Sequence, residues 1–200
     1  MDNRDPTNCG WHSRGYLPHF DAAAILQTIV FRLNDSLPVE KLNQLVSNVA
    51  QAPDDGEHAL ELYKKLERWV DAGYGDCHLR NPRVAAIVQN NLLHFDGARY
   101  KLLEWVIMPN HVHVLIETKN DSLKSIIHSW KSYTAKRVNS LLKRTGTFWA
   151  ADYFDRYIRN ERHYYYASNY IRENPVKAGL CARPEDWLFG SAAYRAASHA

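Results

Sequence analysis

Two neighbouring segments decide the fold: Tyr100–Ile107, with the sequence YKLLEWVI, and His111–Thr118, with the sequence HVHVLIET. Both are rich in β-branched or aromatic residues, and the second alternates between polar and apolar positions as strands do. Only Met108, Pro109 and Asn110 separate them. The pattern therefore predicts a β-hairpin in the middle of the chain.

The segments on either side of this hairpin predict further strands and helices. A β-branched stretch at 25–33 predicts a strand, and aromatic residues at 146–157 predict a short strand or loop. Apolar residues recur at helical spacing in 38–49, 57–72, 83–94, 123–142 and 160–173. Ser122 is placed to cap the helix that follows it, and Pro175 is predicted to stop the last helix. The predicted class is α+β, an antiparallel sheet with helices packed on one face.

The composition is that of a soluble globular protein, with 46% hydrophobic and 24% charged residues among 200. No stretch approaches the roughly 18 apolar residues that a membrane span needs, and the polar start of the chain predicts no secretory signal. The three cysteines are spread over the chain and suggest neither a metal finger nor a disulfide framework. These features predict one cytoplasmic domain that spans residues 1–200.

Positive charge is concentrated in the C-terminal half of the chain. Residues 122–176 hold ten Lys and Arg against four Asp and Glu, although the whole chain has a net charge of only +3. A basic half on a near-neutral chain favours a polyanionic partner, and nucleic acid is the usual one. The alternative is a solvated surface that is merely rich in basic residues.

His111 and His113 are separated by one residue in the second strand of the hairpin, so both imidazoles are expected on the same face. Two neighbouring imidazoles can hold a divalent metal when further ligands come from elsewhere in the fold. The alternative is a pair of histidines that only fill a half-buried face. The Pro-Asn turn immediately before the pair favours the metal hypothesis.

Tyr170 and Asn174 are four residues apart in the last predicted helix and therefore share one of its faces. A tyrosine hydroxyl can act as a covalent nucleophile toward a phosphate when a metal or a base activates it. Its ordinary pKa near 10 means that the attack needs assistance, which a phosphate-bound cation would supply. Tyr166 lies on the same face, so the residues alone leave two candidate nucleophiles. The alternative is a tyrosine that only packs by its ring.

These residues lie in motifs that resemble a known superfamily. Met108–Ile116 (MPNHVHVLI) resembles the HUH signature of single-tyrosine transposases, the IS200-like superfamily, and Tyr170–Leu180 (YIRENPVKAGL) is similar to the nucleophile helix and its exit. Two further segments, GYLPHF at 15–20 and FDRYIR at 154–159, resemble the subgroup of REP-associated tyrosine transposases. The resemblance covers a core of about 11–194, and the helices at about 37–80 are interpreted as an insertion.

This resemblance implies a ferredoxin-like core, with the histidine pair on a central strand and the tyrosine helix beside it. It implies that His111 and His113 bind Mg²⁺ or Mn²⁺ and that Asn174 is the third ligand. Tyr170 would form a 5′-phosphotyrosine bond with single-stranded DNA, and the NPVKAGL tail favours it over Tyr166. The implied substrates are hairpins of repetitive extragenic palindromes (REP), bound in the nucleoid by a monomer or a homodimer.

Basic residues are candidates for contacts with the DNA backbone, and Trp149 or Phe148 is a candidate for stacking on an unpaired base. The basic candidates are Arg14, Lys124, Lys131, Lys136, Arg137, Arg144, Arg156 and Arg159. Trp130 and Tyr133 are instead predicted to belong to the core, because they share a helix with apolar neighbours.

Two other classes of protein remain compatible with parts of the pattern. A non-catalytic, domesticated protein that binds DNA hairpins would account for the charge, but not for the histidines occurring together with Tyr170 and Asn174. A zinc-dependent hydrolase could use the His-x-His pair, but its commonest form has Asp two residues later, where this chain has Leu115. Activity on single strands with Mg²⁺ or Mn²⁺ would favour the transposase, and zinc-dependent ester hydrolysis would favour the hydrolase.

Overall fold

The structure is a computed structural model that describes residues 10–13, 18–21, 24–51 and 56–198. Its strands are β1 (Gly10–Ser13), β2 (Pro18–Asp21), β3 (Leu26–Arg32), β4 (Tyr100–Ile107), β5 (His111–Thr118) and β6 (Phe154–Tyr157). Its helices are α1 (Val39–Gln51), α2 (Gly56–Asp71), α3 (Pro82–His94), α4 (Leu123–Leu142), α5 (Glu161–Lys177) and α6 (Ser191–Ser198). Arg14, one of the candidate DNA contacts, lies outside the described residues.

Four of the strands form one antiparallel sheet in the order β4-β5-β3-β6. The predicted hairpin is its β4–β5 pair, with both strands beginning and ending at the predicted residues. Counted along the chain, the sheet strands lie in the spatial order second, third, first, fourth, which is the order of a ferredoxin-like core. The predicted α+β class and antiparallel sheet are thus confirmed. β1 and β2 pair separately as a two-stranded hairpin, which the sequence did not predict.

Helices α3 and α4 pack on one face of the sheet and bury the larger core. Side chains that alternate along β3 and β5, such as Ile29, Phe31 and Val114, meet Ile126 and Trp130 of α4 there. α5 and α2 cover the opposite face, where Leu115 packs against Ile171 of α5, and Val30 packs against Leu66 and Val70 of α2. The prediction of helices on one face therefore holds for α3 and α4 only.

Helix α4 begins and ends where its periodicity predicts, and the Ser122 side chain caps it by accepting a hydrogen bond from the Ser125 amide. Trp130 is buried as predicted, and its Nε1 donates to the hydroxyl of Tyr100 at 2.9 Å. The prediction that Tyr133 is a core residue is wrong, because it lies beside the buried stripe of α4 and is 53% exposed.

The sequence predicts that the last helix stops before Pro175. Helix α5 instead continues through this proline to Lys177. A proline in the last turn of a helix removes only its own hydrogen bond, and the helix ends two residues later. The end is a Schellman motif: the Gly179 amide donates to Val176 O and the Leu180 amide to Pro175 O, both at 2.9 Å. Gly179 has a φ of +68°, which only glycine adopts without strain.

The C-terminal segment holds α5 and β4 together through Glu104. This buried carboxylate accepts hydrogen bonds from Ser168 of α5 at 3.1 Å and from Arg195 of α6 at 2.8 Å, and Ser191 donates to it as well. Trp187 adds a hydrogen bond from its Nε1 to the carbonyl of Ile107 at 3.0 Å.

In the part of the chain that the structure describes, no helix is long and apolar enough to cross a bilayer.

Candidate active site

Asn110, in the turn between β4 and β5, connects three parts of the site and uses every polar atom of its amide. Its Nδ2 donates to the carbonyls of Val70 and Tyr74, each at 3.0 Å, and its Oδ1 lies 2.8 Å from Nδ1 of His111. Because both amide hydrogens go to carbonyls, Oδ1 must accept a hydrogen bond from His111. His111 is therefore protonated on Nδ1, and its Nε2 lone pair faces the site.

The two imidazoles emerge on the same face of β5, as the strand spacing predicts. Their Nε2 atoms lie 2.9 Å apart, and both side chains are about 1% exposed. Burial lowers the pKa of His113 to about 3. Burial also lowers the pKa of His111 well below its usual value, and the proximity of His113 lowers it further. Both rings are thus neutral at physiological pH, which is the form that binds a metal.

Oxygen-bearing side chains approach this pair from two helices. Asp71, the last residue of α2, places Oδ1 3.4 Å from Nε2 of His111, and burial raises the pKa of its carboxyl to about 6. Asn174 of α5 places Nδ2 3.4 Å from Nε2 of His113. The Oδ1 of Asn174 is buried without a hydrogen-bond partner. Flipping the side-chain amide would exchange Oδ1 and Nδ2 and point the oxygen toward His113.

These residues fit a divalent cation. The candidate donor atoms of Asp71, His111 and His113 all lie within 4.8 Å of one another. Neighbouring ligands of an octahedral Mg²⁺ are about 3 Å apart, since each lies at about 2.1 Å from the ion. The separations of 2.9 and 3.4 Å in this group are close to that spacing. The unpartnered oxygen of Asn174 supplies a further donor of the kind that Mg²⁺ and Mn²⁺ prefer.

Tyr170 of α5 lies against the histidine pair. It lines a cavity of about 450 Å³ together with His113, Glu67 and Arg156. Burial raises the pKa of Tyr170 well above its usual value, and the nearby carboxylates of Glu67 and Asp71 raise it further. The neighbouring Asn174 amide acts in the opposite direction. At neutral pH the hydroxyl is protonated, so an attack on phosphate requires a proton acceptor and charge compensation.

Tyr166, the second candidate nucleophile, lines the same cavity one turn earlier on α5. Its side chain is 57% exposed, and the guanidinium of Arg162 lies 5.5 Å from its ring centroid. Of the two tyrosines, Tyr170 is the one whose ring contacts His113.

The structure separates the basic candidates into two groups. Arg156, on β6, lines the cavity that contains Tyr170, and the exposed Arg159 follows two residues after the end of that strand. The basic residues of α4 lie across the sheet from Tyr170, because α4 packs on the face opposite to the histidines. They are Lys124, Lys131, Lys136 and Arg137. Arg144 follows α4, and its guanidinium lies 5.4 Å from the ring centroid of Phe148.

The hypothesis that Trp149 or Phe148 stacks on an unpaired base is wrong. Trp149 is 4% exposed and Phe148 is 2% exposed, and both belong to the core beneath α4. The Nε1 of Trp149 donates to Oγ1 of Thr134 at 2.9 Å, which fixes the indole in place. Phe148 is also flanked by the guanidinium of Arg144 and the ring of His78, so neither aromatic ring presents an exposed face to DNA.

The sequence reasoning missed the acidic contribution of α2 to the site. Glu67 and Asp71 are four residues apart and share a helix face, which is the signal that could have identified them. It also missed two cations at the cavity, Lys64 of α2 and Lys177 of α5. The Nζ of Lys177 lies 4.8 Å from the ring centroid of Tyr170.

Comparison with known proteins finds similarity to transposases. Residues 81–174 match the family described as "Transposase IS200 like". The chain is similar to a solved REP-associated tyrosine transposase bound to a REP hairpin, with a TM-score of 0.56, 14% identity and coverage of 93% of this chain and 84% of that chain. A "putative transposase" of Deinococcus radiodurans R1 gives a TM-score of 0.32 at 16% identity, over 82% of this chain and 95% of that one. No curated protein sequence matches the chain.

The fold is thus a ferredoxin-like domain in which an imidazole pair and a tyrosine helix meet on one face of the sheet, and the first of the two solved structures shares that fold. The family match relates residues 81–174, slightly less than half of the chain, to the IS200-like transposases.

Proposed function

We propose that this protein is an IS200-like transposase, a metal-dependent endonuclease and strand transferase of single-stranded DNA, with Tyr170 as its nucleophile. The contact between Tyr170 and His113 in one cavity carries the proposal, because it brings a hydroxyl beside a group of candidate metal ligands. A non-catalytic hairpin-binding protein would have no need for this arrangement. Members of the family act on DNA, and the basic C-terminal half suits that polyanion.

In the proposed reaction the Tyr170 oxygen attacks a backbone phosphorus. A 5′-phosphotyrosine bond forms, the bond to the 3′ oxygen breaks, and the free 3′ end takes a proton from water. Glu67, which lines the same cavity as Tyr170, accepts the proton of the tyrosine hydroxyl. Because the covalent bond conserves the energy of the broken phosphodiester, another 3′ hydroxyl can displace the tyrosine without an external energy source.

His111, His113 and Asn174 would hold the cation. Mg²⁺ or Mn²⁺ bound there would polarise the phosphate and offset its charge. The Asn110 amide keeps His111 in the tautomer whose lone pair faces the site. Arg156 and Lys177, which line the same cavity, would hold the flanking phosphates by charge.

We propose that the substrate is a DNA hairpin with a single-stranded flank. The similar solved structure, which holds a REP hairpin, supports this proposal. The exposed cations of α4 would contact the backbone of the paired stem, while the flank enters the cavity of Tyr170. Separate contacts for stem and flank are consistent with the placement of the two basic groups on opposite sides of the sheet.

The test is the formation of a covalent adduct. Wild-type protein is incubated with labelled hairpins that carry a single-stranded flank, in Mg²⁺ or Mn²⁺, and the products are separated under denaturing conditions. We expect an adduct with wild type and with Tyr166→Phe, and none with Tyr170→Phe. An adduct that survives in Tyr170→Phe but disappears in Tyr166→Phe would assign the nucleophile to Tyr166. Hairpin binding without any adduct would favour the non-catalytic alternative, and ester hydrolysis that requires Zn²⁺ would favour the hydrolase.

A further inference from the structure

We infer that Asp71 of α2 is a direct ligand of the cation, so that the helices between β3 and α3 complete the metal site. This inference rests on the proposed function, because it requires a cation at the histidine pair. It adds a carboxylate to the two imidazoles and the amide oxygen. It also assigns a chemical role to the segment at about 37–80, which the sequence shows only as an insertion.

The geometry places Asp71 within reach of the same ion as the histidines. Its Oδ1 lies 3.4 Å from Nε2 of His111, and that nitrogen lies 2.9 Å from Nε2 of His113. Asn174 approaches His113 from α5, on the other side of the pair. The four side chains come from β5, α2 and α5, so the donors converge from different directions, as they do around a metal ion.

The position of Asp71 is fixed by the elements around it. Leu66 and Val70, on the buried side of α2, pack against Val30 and Phe154 of the sheet. The carbonyl of Val70, adjacent to Asp71, accepts a hydrogen bond from Asn110 at 3.0 Å. The same Asn110 amide accepts the Nδ1 proton of His111, so one side chain positions both the histidine and the end of α2.

The charge of the site also favours a carboxylate ligand. His111 and His113 are neutral when they bind a metal, and Asn174 carries no charge, so these ligands would leave two positive charges uncompensated in a largely buried site. Asp71 offsets one of them, and its hard oxygen suits Mg²⁺ and Mn²⁺. Asp71 lies at the C-terminus of α2, where the helix dipole also favours a cation.

The competing explanation for the position of Asp71 is an ion pair with Lys177. Its charge acts on the Asp71 carboxyl across the site, so the aspartate could serve only as the partner of this lysine. The two roles differ in one measurable property: a ligand contributes to metal affinity in the absence of DNA, whereas a simple ion-pair partner does not. Metal binding by the DNA-free protein therefore separates them.

The experiment is calorimetric titration of the full chain with Mn²⁺, without DNA. We expect Asp71→Asn to weaken Mn²⁺ binding by more than about 100-fold, since the loss of an outer-shell partner alone costs about 10- to 100-fold. Asp71→Glu should recover part of the affinity. Glu61→Gln, which removes a carboxylate from an exposed position on the same helix, should bind like wild type. A thermal melt of each variant checks that the fold is intact.

The variant His111→Ala distinguishes a failure of the Asp71 assignment from a failure of the proposed function. If Mn²⁺ binding disappears in His111→Ala but is unchanged in Asp71→Asn, the cation site stands and Asp71 is not a ligand. If the wild-type protein neither binds Mn²⁺ nor forms a DNA adduct, both the proposed function and this inference are wrong. Equal weakening by Glu61→Gln and Asp71→Asn would also overturn the assignment, because it would show a general effect of charge.

Discussion

The rings of Tyr170 and His113 meet almost at right angles, with their centroids 5.6 Å apart and their planes inclined by 79°. Tyr170 belongs to α5 and His113 to β5, so the contact joins the helix of the proposed nucleophile to the strand of the proposed metal ligands. Other buried contacts also hold α5 on the sheet, among them the hydrogen bond from Ser168 to Glu104. The histidines can therefore be changed without releasing the helix.

The first prediction concerns the two histidines. His111→Ala and His113→Ala should each slow adduct formation by about 100-fold or more, because a bound cation contributes several kcal/mol to such a reaction. Hairpin affinity should change little, since backbone charge dominates binding. Single-turnover cleavage and fluorescence anisotropy measure the two effects. Asn174→Ala should do less damage, because water can replace a weak oxygen ligand.

A matched control for this prediction is His128→Ala, which removes an exposed imidazole from α4 on the opposite side of the sheet. It should cleave at the wild-type rate. Wild-type cleavage by either His111→Ala or His113→Ala at limiting Mg²⁺ would show that the histidines are not ligands.

The second prediction concerns Glu67, which lines the cavity of Tyr170 and whose charge raises the pKa of the tyrosine hydroxyl. Glu67→Gln keeps the shape of the side chain but cannot accept the proton, so the single-turnover rate should fall about 100-fold, a typical loss for a general base. Hairpin affinity should stay the same or increase slightly, because a negative charge is removed. A rate equal to that of wild type would mean that Glu67 only orients the ring.

The third prediction concerns His19, which is buried and bonded at both ring nitrogens. Nδ1 lies 2.6 Å from Asp155 and Nε2 lies 2.9 Å from Asp152. Burial by itself would lower the pKa of His19, but the hydrogen bonds and charges of the two aspartates outweigh burial and raise it to about 9. The protonated ring therefore joins the β1–β2 hairpin to the sheet.

Because the pKa of His19 is higher in the folded state, its contribution to stability is complete below about pH 6.5 and is lost as pH rises through about 9. The difference in unfolding free energy between wild type and His19→Gln should shrink by up to roughly 3 kcal/mol between pH 6 and pH 10. Urea unfolding at both pH values measures it. The comparison with His19→Gln is needed because another group also titrates in this range. Burial lowers the pKa of Lys131 to about 8, so the effect of Lys131 on stability changes with pH in the opposite direction. A difference that is constant with pH would show that His19 is neutral.

The hairpin and α4 could be predicted to the residue because their signals are local. Alternation along β5 and the Ser122 cap depend on neighbours within a few positions. Asp71 could not be predicted in the same way. It is separated from His111 by 40 residues, and its place depends on the hydrogen bond between Asn110 and Val70, which no local pattern encodes.

Trp149 shows a second limit of the sequence. An aromatic residue in a basic segment has the same composition signal whether it stacks on a base or fills a core. Only the packing of α4 over the sheet, with Thr134 accepting the indole hydrogen bond, distinguishes the two roles. The prediction of Tyr133 as a core residue was wrong for a related reason, since helical periodicity locates the centre of a buried stripe better than its edge.

The fourth prediction separates the two basic groups. Arg156→Ala should reduce the cleavage rate of bound DNA, because Arg156 lines the cavity of Tyr170. Lys136→Ala, on the far side of the sheet, should weaken hairpin binding and lower the slope of affinity against salt by about 1, with no change in the rate at saturation. Equal effects of both substitutions on the saturated rate would contradict the assignment of Lys136 to the stem.

The last prediction is that strand form matters more than base composition. Tyr170 lies in a cavity of about 450 Å³ that it shares with His113, and a paired duplex would keep its phosphates on a wide, stacked helix that cannot enter such a space. A hairpin with a single-stranded flank should therefore be cleaved, whereas annealing a complementary strand to the flank should abolish most of the cleavage at the same salt and metal concentrations. The fully paired DNA should still bind, because the exposed cations of α4 respond to backbone charge. Equal cleavage of the two forms would show that the enzyme opens the duplex itself, and the requirement for a single strand would be wrong.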